Sequence, residues 1–85
     1  MGCKLSETLQ HAMNRKAGTL VGGVPTLDAQ GAANVWAGTT GLALVGALNV
    51  QAGNVPPNYK GLQGVLNQLA GTTGLGIDGA AAAIA

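Results

Sequence analysis

A short unit recurs along the chain and limits what it can fold into. The stretches GAANVWAGTTGL (31–42), GALNVQAGN (46–54), GVLNQLAGTTGL (64–75) and GAAAAIA (79–85) align, and HAMNRKAGTL (11–20) is a weaker fifth copy. The shared pattern runs small, small or apolar, Asn, two variable residues, then Ala-Gly-Thr. Copies begin at 31, 46, 64 and 79, which are 15, 18 and 15 residues apart, and the extra three residues fall in VPPNYKGLQ. Self-similarity at a fixed period means one supersecondary unit used several times, each copy burying its apolar face on the next.

Each copy reads as a short helix and a tight turn. In TTGLALVGALNVQAG, Thr40 is placed to act as N-cap. Leu44, Leu48 and Ala52 recur every four residues, one face of a helix. Gly53 follows, where a left-handed residue ends helices. Gly18, Gly38 and Gly71 stand at the same place in the other copies. The spacing predicts helices near 6–17, 27–37, 41–52, 59–70 and 74–84, with a tail at 1–5 and loops at 18–26 and 53–58. The expected fold is therefore all-α: a single domain over 1–85, with four or five short helices in tandem units of about 15 residues. Helices of ~16–18 Å are unstable alone in water and need packing. The GTTG links at 38–41 and 71–74 are short enough to force sharp reversals between neighbours.

Two positions inside the unit are candidates for packing between repeats. Gly31, Gly46, Gly64 and Gly79 share one place, although a mid-helix glycine costs roughly 1 kcal/mol relative to alanine. Either a neighbouring helix lies close against the bare backbone, or duplication copied the residue. Asn34, Asn49 and Asn67 share another place with Asn14, while Ala82 stands there in the last copy. A helix interior disfavours asparagine. Its amide either ties one unit to the chain of the next or faces solvent.

Composition narrows the function. An 85-residue chain has a marginal core by itself, and one cysteine permits no internal disulfide. One histidine and three acids (Glu7, Asp28, Asp78) give poor material for a closed metal site, so no metal or other cofactor is expected. Only 8% of residues are charged, against about 25% in ordinary soluble domains, so the surface is expected to be apolar and to bind protein partners or itself. The net charge of +1 gives no footprint for nucleic acid. The most apolar run, GLALVGALNVQAG (41–53), is shorter than the ~20 residues of a membrane crossing. No apolar h-region precedes a cleavage site near the N-terminus, which suggests use or assembly in a cytoplasm. Trp36 stands where other copies carry Lys16, Gln51, Leu69 and Ile84, so it is either an interface anchor or a lid on a small core. With Val55, Pro56, Pro57 and Tyr59, whose prolines stiffen a loop, it forms the candidate partner interface.

Other motifs point less far. MGCKLS at 1–6 matches an acylation signal, which would make the chain a lipid-anchored adaptor. Ser6 also suits the N-cap of the first helix, with Glu7 near its positive end. A Cys3–His11 pair has no residue placed to orient the histidine. GLGIDG (74–79) follows no strand and is not a phosphate loop. His11, Arg15 and Lys16 share one helical flank, which touches an anion or is simply solvated. No enzyme class emerges.

The two AGTTGL segments at 37–42 and 70–75, with GALNVQAG between them, resemble repeats in small virion proteins of tailed bacteriophages that infect actinobacteria. The likeness covers 31–85 well and 11–20 weakly, with PPNYK and the last copy departing from it. It implies a structural virion role, as a minor capsid or decoration subunit bound to the major capsid protein or another virion protein, or as a tail component. It carries over no functional residue.

Overall fold

The structure is a computed structural model, and it describes residues 7–84. It contains five helices: α1 (Leu9–Ala17), α2 (Ala29–Ala37), α3 (Leu44–Ala52), α4 (Leu62–Ala70) and α5 (Ile77–Ala83). Four of the five end where the repeat glycine predicts. Gly18, Gly38, Gly53 and Gly71 each follow a helix with φ between 74° and 82°, a conformation that costs glycine nothing. Thr19, Thr39, Asn54 and Thr72 then donate their N–H to the carbonyl of the repeat asparagine at 2.9 Å, closing the turn.

The helices begin two or three residues later than the sequence pattern predicts, and for α2 to α5 the asparagines are the reason. Asn34 Nδ2 donates to Gln30 O within its own helix and to Leu42 O, both at 2.9 Å, and its Oδ1 accepts from Leu42 N–H at 3.1 Å. The side chain thus pairs with the main chain of Leu42 as a neighbouring strand would, and holds that residue extended. Asn14 grips Leu27 in the same way, Asn49 grips Lys60 and Asn67 grips Leu75. Each gripped residue is two places before the next helix, whose N-cap is extended with ψ between 159° and 175°. Thr40 is therefore not an N-cap: Ala43 holds that place in α3 and makes no side-chain bond. Nor do Gly61 and Gly76 cap α4 and α5 through side chains. Thr8 caps α1 through Oγ1 to His11 N–H, and Asp28 caps α2 through Oδ1 to Gly31 N–H. Thr8 thus holds the place expected for Ser6, which lies outside the described residues.

The predicted loop at 18–26 contains a small hairpin. Leu20–Val21 (β1) and Val24–Pro25 (β2) pair antiparallel around Gly22 and Gly23, both at positive φ. Two residues at positive φ match the twist of the flanking strands. The remaining stretches between helices carry no strand.

Each helix packs on its sequence neighbours, and α5 returns to α1, so the five close into a ring. The body is flat, with extents of 41 × 28 × 15 Å. Its core comes from the two positions before each asparagine, or before Ala82 in α5: Ala12 and Met13, Ala32 and Ala33, Ala47 and Leu48, Val65 and Leu66, Ala80 and Ala81, joined by Ile84. Alanines predominate because five helices converge on a thin centre. The packing that such short helices need is supplied within the chain.

Replacing Asn49 by alanine tests the grip. It removes the side-chain partner of Lys60 N–H and C=O and one of the two partners of the Asn54 amide, and the side chain it deletes is fully buried. The expected loss is about 2–4 kcal/mol in urea denaturation. An unchanged midpoint would mean that the amide holds nothing.

Candidate interaction surface and inter-repeat joints

Most joints between repeats are built from two side chains and the main chain of the gripped residue. In the α2–α3 joint, Asn34 Oδ1 accepts from Thr39 Oγ1 at 2.7 Å as well as from Leu42 N–H, so all its bonding capacity is used. Thr72 serves Asn67 in the same way at 2.8 Å, and Thr19 Oγ1 donates to Asn14 Oδ1. In the α3–α4 joint Asn54 replaces the threonine. Its Nδ2 reaches Asn49 Oδ1 and Gln68 Oε1, both at 2.9 Å, and Gln68 Nε2 returns a bond to Asn54 Oδ1 at 3.2 Å. The longer insertion before Lys60 thus closes through a pair of amides. Among the described residues no buried side-chain nitrogen or oxygen lacks a partner.

The glycines at 31, 46, 64 and 79 do not admit a neighbouring helix. A methyl group at Gly46 would meet only Leu42 Cβ at 3.8 Å, at Gly79 only Leu75 Cβ at 3.7 Å, and at Gly64 the Lys60 side chain from 3.5 Å. These neighbours are the residues gripped by the preceding asparagine. The glycine therefore lies beside the joint, but under its own unit's gripped residue, four places back in the chain. That residue is held extended and its Cβ lies over the first helical turn. At Gly31 the methyl would press on Asp28 Oδ1 at 3.0 Å, against the capping carboxylate. Gly46→Ala is therefore expected to raise stability by about 0.5–1 kcal/mol, read as a higher melting temperature. Gly31→Ala is expected to return less than that, or to destabilise.

Glu7 fills the equivalent of the gripped residue ahead of α1, and its side chain does a different job there. The carboxylate is 6% exposed. Arg15 Nε donates to Oε2 at 2.9 Å and Oε1 at 3.2 Å, and Arg15 Nη2 donates to Oε1 at 2.9 Å. His11 Nδ1 faces Oε2. His11 and Arg15 occupy the positions of Gly31 and Val35 in the next unit. The trio expected on one flank is thus divided. His11 and Arg15 turn to Glu7, while the Lys16 ammonium sits 5.6 Å from the centre of the Trp36 ring, a cation–π contact.

The hydrogen bond from Arg15 is the largest influence on Glu7. It outweighs desolvation and, with His11, holds the carboxyl below its ordinary pKa; the carboxylate in turn raises that of Arg15. A depressed folded-state pKa favours the folded chain above the unfolded value of about 4.3 and loses that contribution as pH falls through the lower folded value. Acid denaturation followed by circular dichroism should therefore show stability falling below about pH 4. Glu7→Gln should flatten that limb and cost about 1–3 kcal/mol near neutral pH.

The candidate partner residues divide by burial. Trp36 is half-buried and packs on the core beneath Lys16. Val55, Pro56, Pro57 and Tyr59 are exposed on the α3–α4 connection, Val55 at 64% and Tyr59 at 44%. The sequence pattern missed a second apolar set. Val35 and Val50 immediately follow their asparagines on adjacent helices and are 51% and 38% exposed, and Val21 and Val24 on the hairpin are 67% and 62% exposed. The repeat alignment does show Val35 and Val50 in equivalent places, one residue beyond the buried amide.

Among the described residues no group of three His, Cys, Asp or Glu side chains is placed to hold a metal ion. No helix there is long and apolar enough to cross a membrane. Gly2, Cys3 and Ser6 of the MGCKLS motif lie outside the described residues. Comparisons with protein families, with curated proteins and with solved structures find no match.

Proposed function

We propose that this chain is a non-enzymatic structural subunit of a bacteriophage virion, a minor capsid or decoration protein. It binds the major capsid protein, or copies of itself, through apolar surface. The observation that carries the reading is the set of large apolar side chains that the fold leaves in water: Val21, Val24, Val35, Val50, Val55 and Tyr59 in a chain with four basic and three acidic residues. The core is built from other side chains, and these lie outside it. Exposed apolar surface of this kind marks contact with other protein. The AGTTGL repeats supply the virion context by resemblance. A tail location is the alternative within the same reading, and localisation in the particle separates the two.

Particles purified from a culture that produces the chain provide the test. Mass spectrometry should find the chain co-banding with the particles, and imaging should place it on the shell. Val35→Ser combined with Val50→Ser should lower incorporation about tenfold or more while leaving the circular dichroism spectrum unchanged. Particles that contain none of the chain would overturn the reading.

A further inference from the structure

The ring has four joints of one kind and a fifth of another. Where α1 to α4 carry the gripping asparagine, α5 carries Ala82, which has no amide to offer. The main chain of Glu7, at the place equivalent to Leu27, Leu42, Lys60 and Leu75, therefore receives no such grip from α5. Its side chain is tied back to Arg15 and His11 of α1 itself. Among the described residues, one hydrogen bond crosses the α5–α1 joint: Leu9 N–H donates to Asp78 Oδ1 at 2.9 Å, and that bond is exposed.

The α4–α5 joint is an asparagine joint like the three before it. Asn67 grips Leu75, and Leu75 lies outside α5, separated from it by Gly76. The grip thus stays intact if the chain bends at Gly76. Beyond that point α5 is the shortest of the helices, and among the described residues it brings Ala80 and Ala81 to the core, joined by Ile84 just after it. Two of those three are alanines, so little apolar area is uncovered when α5 departs. The vacated place is shaped for this one segment: small residues against Val65 and Leu66 of the α4 core, and a free Leu9 N–H for the Asp78 carboxylate.

We propose that α5 is an exchangeable arm: the ring opens at the α5–α1 joint, and a second copy of the chain supplies its own α5 to the vacated place. Two chains then complete each other's rings, each keeping all four asparagine grips. Exchange of an identical element remakes every contact it breaks, which makes it a low-cost route to a dimer. The exchange stands independently of the virion reading, because it uses the buried face of α5 and none of the exposed valines.

The test mixes unlabelled and ¹⁵N-labelled full-length chains at high concentration and follows them by native mass spectrometry and amide hydrogen exchange. Wild type should form mixed dimers. Amides of α5 should exchange about tenfold or more faster than those of α2 and α3 in dilute solution, as a locally opening segment does. Asp78→Ala, which removes a bond that must break before the arm leaves, should make mixed dimers appear faster. Ala82→Asn, which offers Glu7 a fifth grip, should slow the appearance of mixed dimers and slow amide exchange in α5. Val35→Ser with Val50→Ser should leave mixed dimers unchanged, which separates arm exchange from association through the valine surface. Wild-type and Asp78→Ala chains that remain monomeric, with α5 protected as well as α2, would overturn the proposal. So would dimers that disappear with the valine substitutions and ignore Ala82→Asn.

Discussion

A single side-chain amide organises this protein. An asparagine placed late in each of four helices uses its carbonyl and its amino group to pair with one residue of the connecting chain, as a strand residue would. An asparagine that bonds its own i−4 carbonyl ordinarily weakens a helix. Here that bond uses one of the two amide hydrogens and orients the other toward the neighbouring chain. The local cost of asparagine is offset by fixing where the next helix starts. Low dielectric around the buried amide strengthens each bond and makes its loss expensive, so the joint is either fully made or not made. With helices of nine residues or fewer and no internal disulfide possible, that grip specifies the architecture.

The thinness of the body follows from the same device. Because the amide sets the connection, a linker can be very short, and short linkers bring helix axes close. The core positions must then be small. Met13, Leu48, Leu66 and Val65 fill the gaps left among alanines. A ring whose shortest extent is 15 Å buries little, and the same scarcity of interior places leaves valines on the outside. The apolar surface and the small core are two sides of one geometric limit rather than separate features.

Much of this is legible in the sequence, but unevenly. Five helices and four of the helix ends could be read because glycine at the stop position acts locally: positive φ requires nothing from the rest of the chain. The starts could not. Leu27, Leu42, Lys60 and Leu75 look like helix residues by apolar spacing or position, and only a partner eight to thirteen residues earlier keeps them extended. The hairpin at Leu20–Pro25 did have a local signal, two glycines between apolar pairs, which a helical reading of the repeat passed over. The shared place of the asparagines was plain. What they bind was not, because one periodic column cannot distinguish a buried amide from a solvated one. The glycines beside Leu27, Leu42, Lys60 and Leu75 misled for a related reason. A residue small at every copy suggests a close neighbour, and the neighbour proved to be the same unit's own entering chain.

The two ends of the repeat array show what the asparagine device requires. A grip needs an amide on one helix and a free pair of main-chain groups ahead of the next. At the last copy the amide is missing, since Ala82 stands in its place. At the first copy the gripped position carries Glu7, whose carboxylate is held by Arg15 and His11 from positions that are valine or glycine in the second copy. Charge pairing within α1 replaces amide pairing between helices. An internal joint can depend on a neighbour at a fixed distance along the chain, whereas α1 has no preceding repeat among the aligned copies to supply the amide. Its entry is therefore fixed by residues of the same unit. Among the described residues the ring then closes through packing and a carboxylate-to-backbone bond, which are weaker in geometric demand than a buried two-point amide. The uniformity of the repeat thus breaks at the seam, where closing the ring depends on contact between its first and last helices.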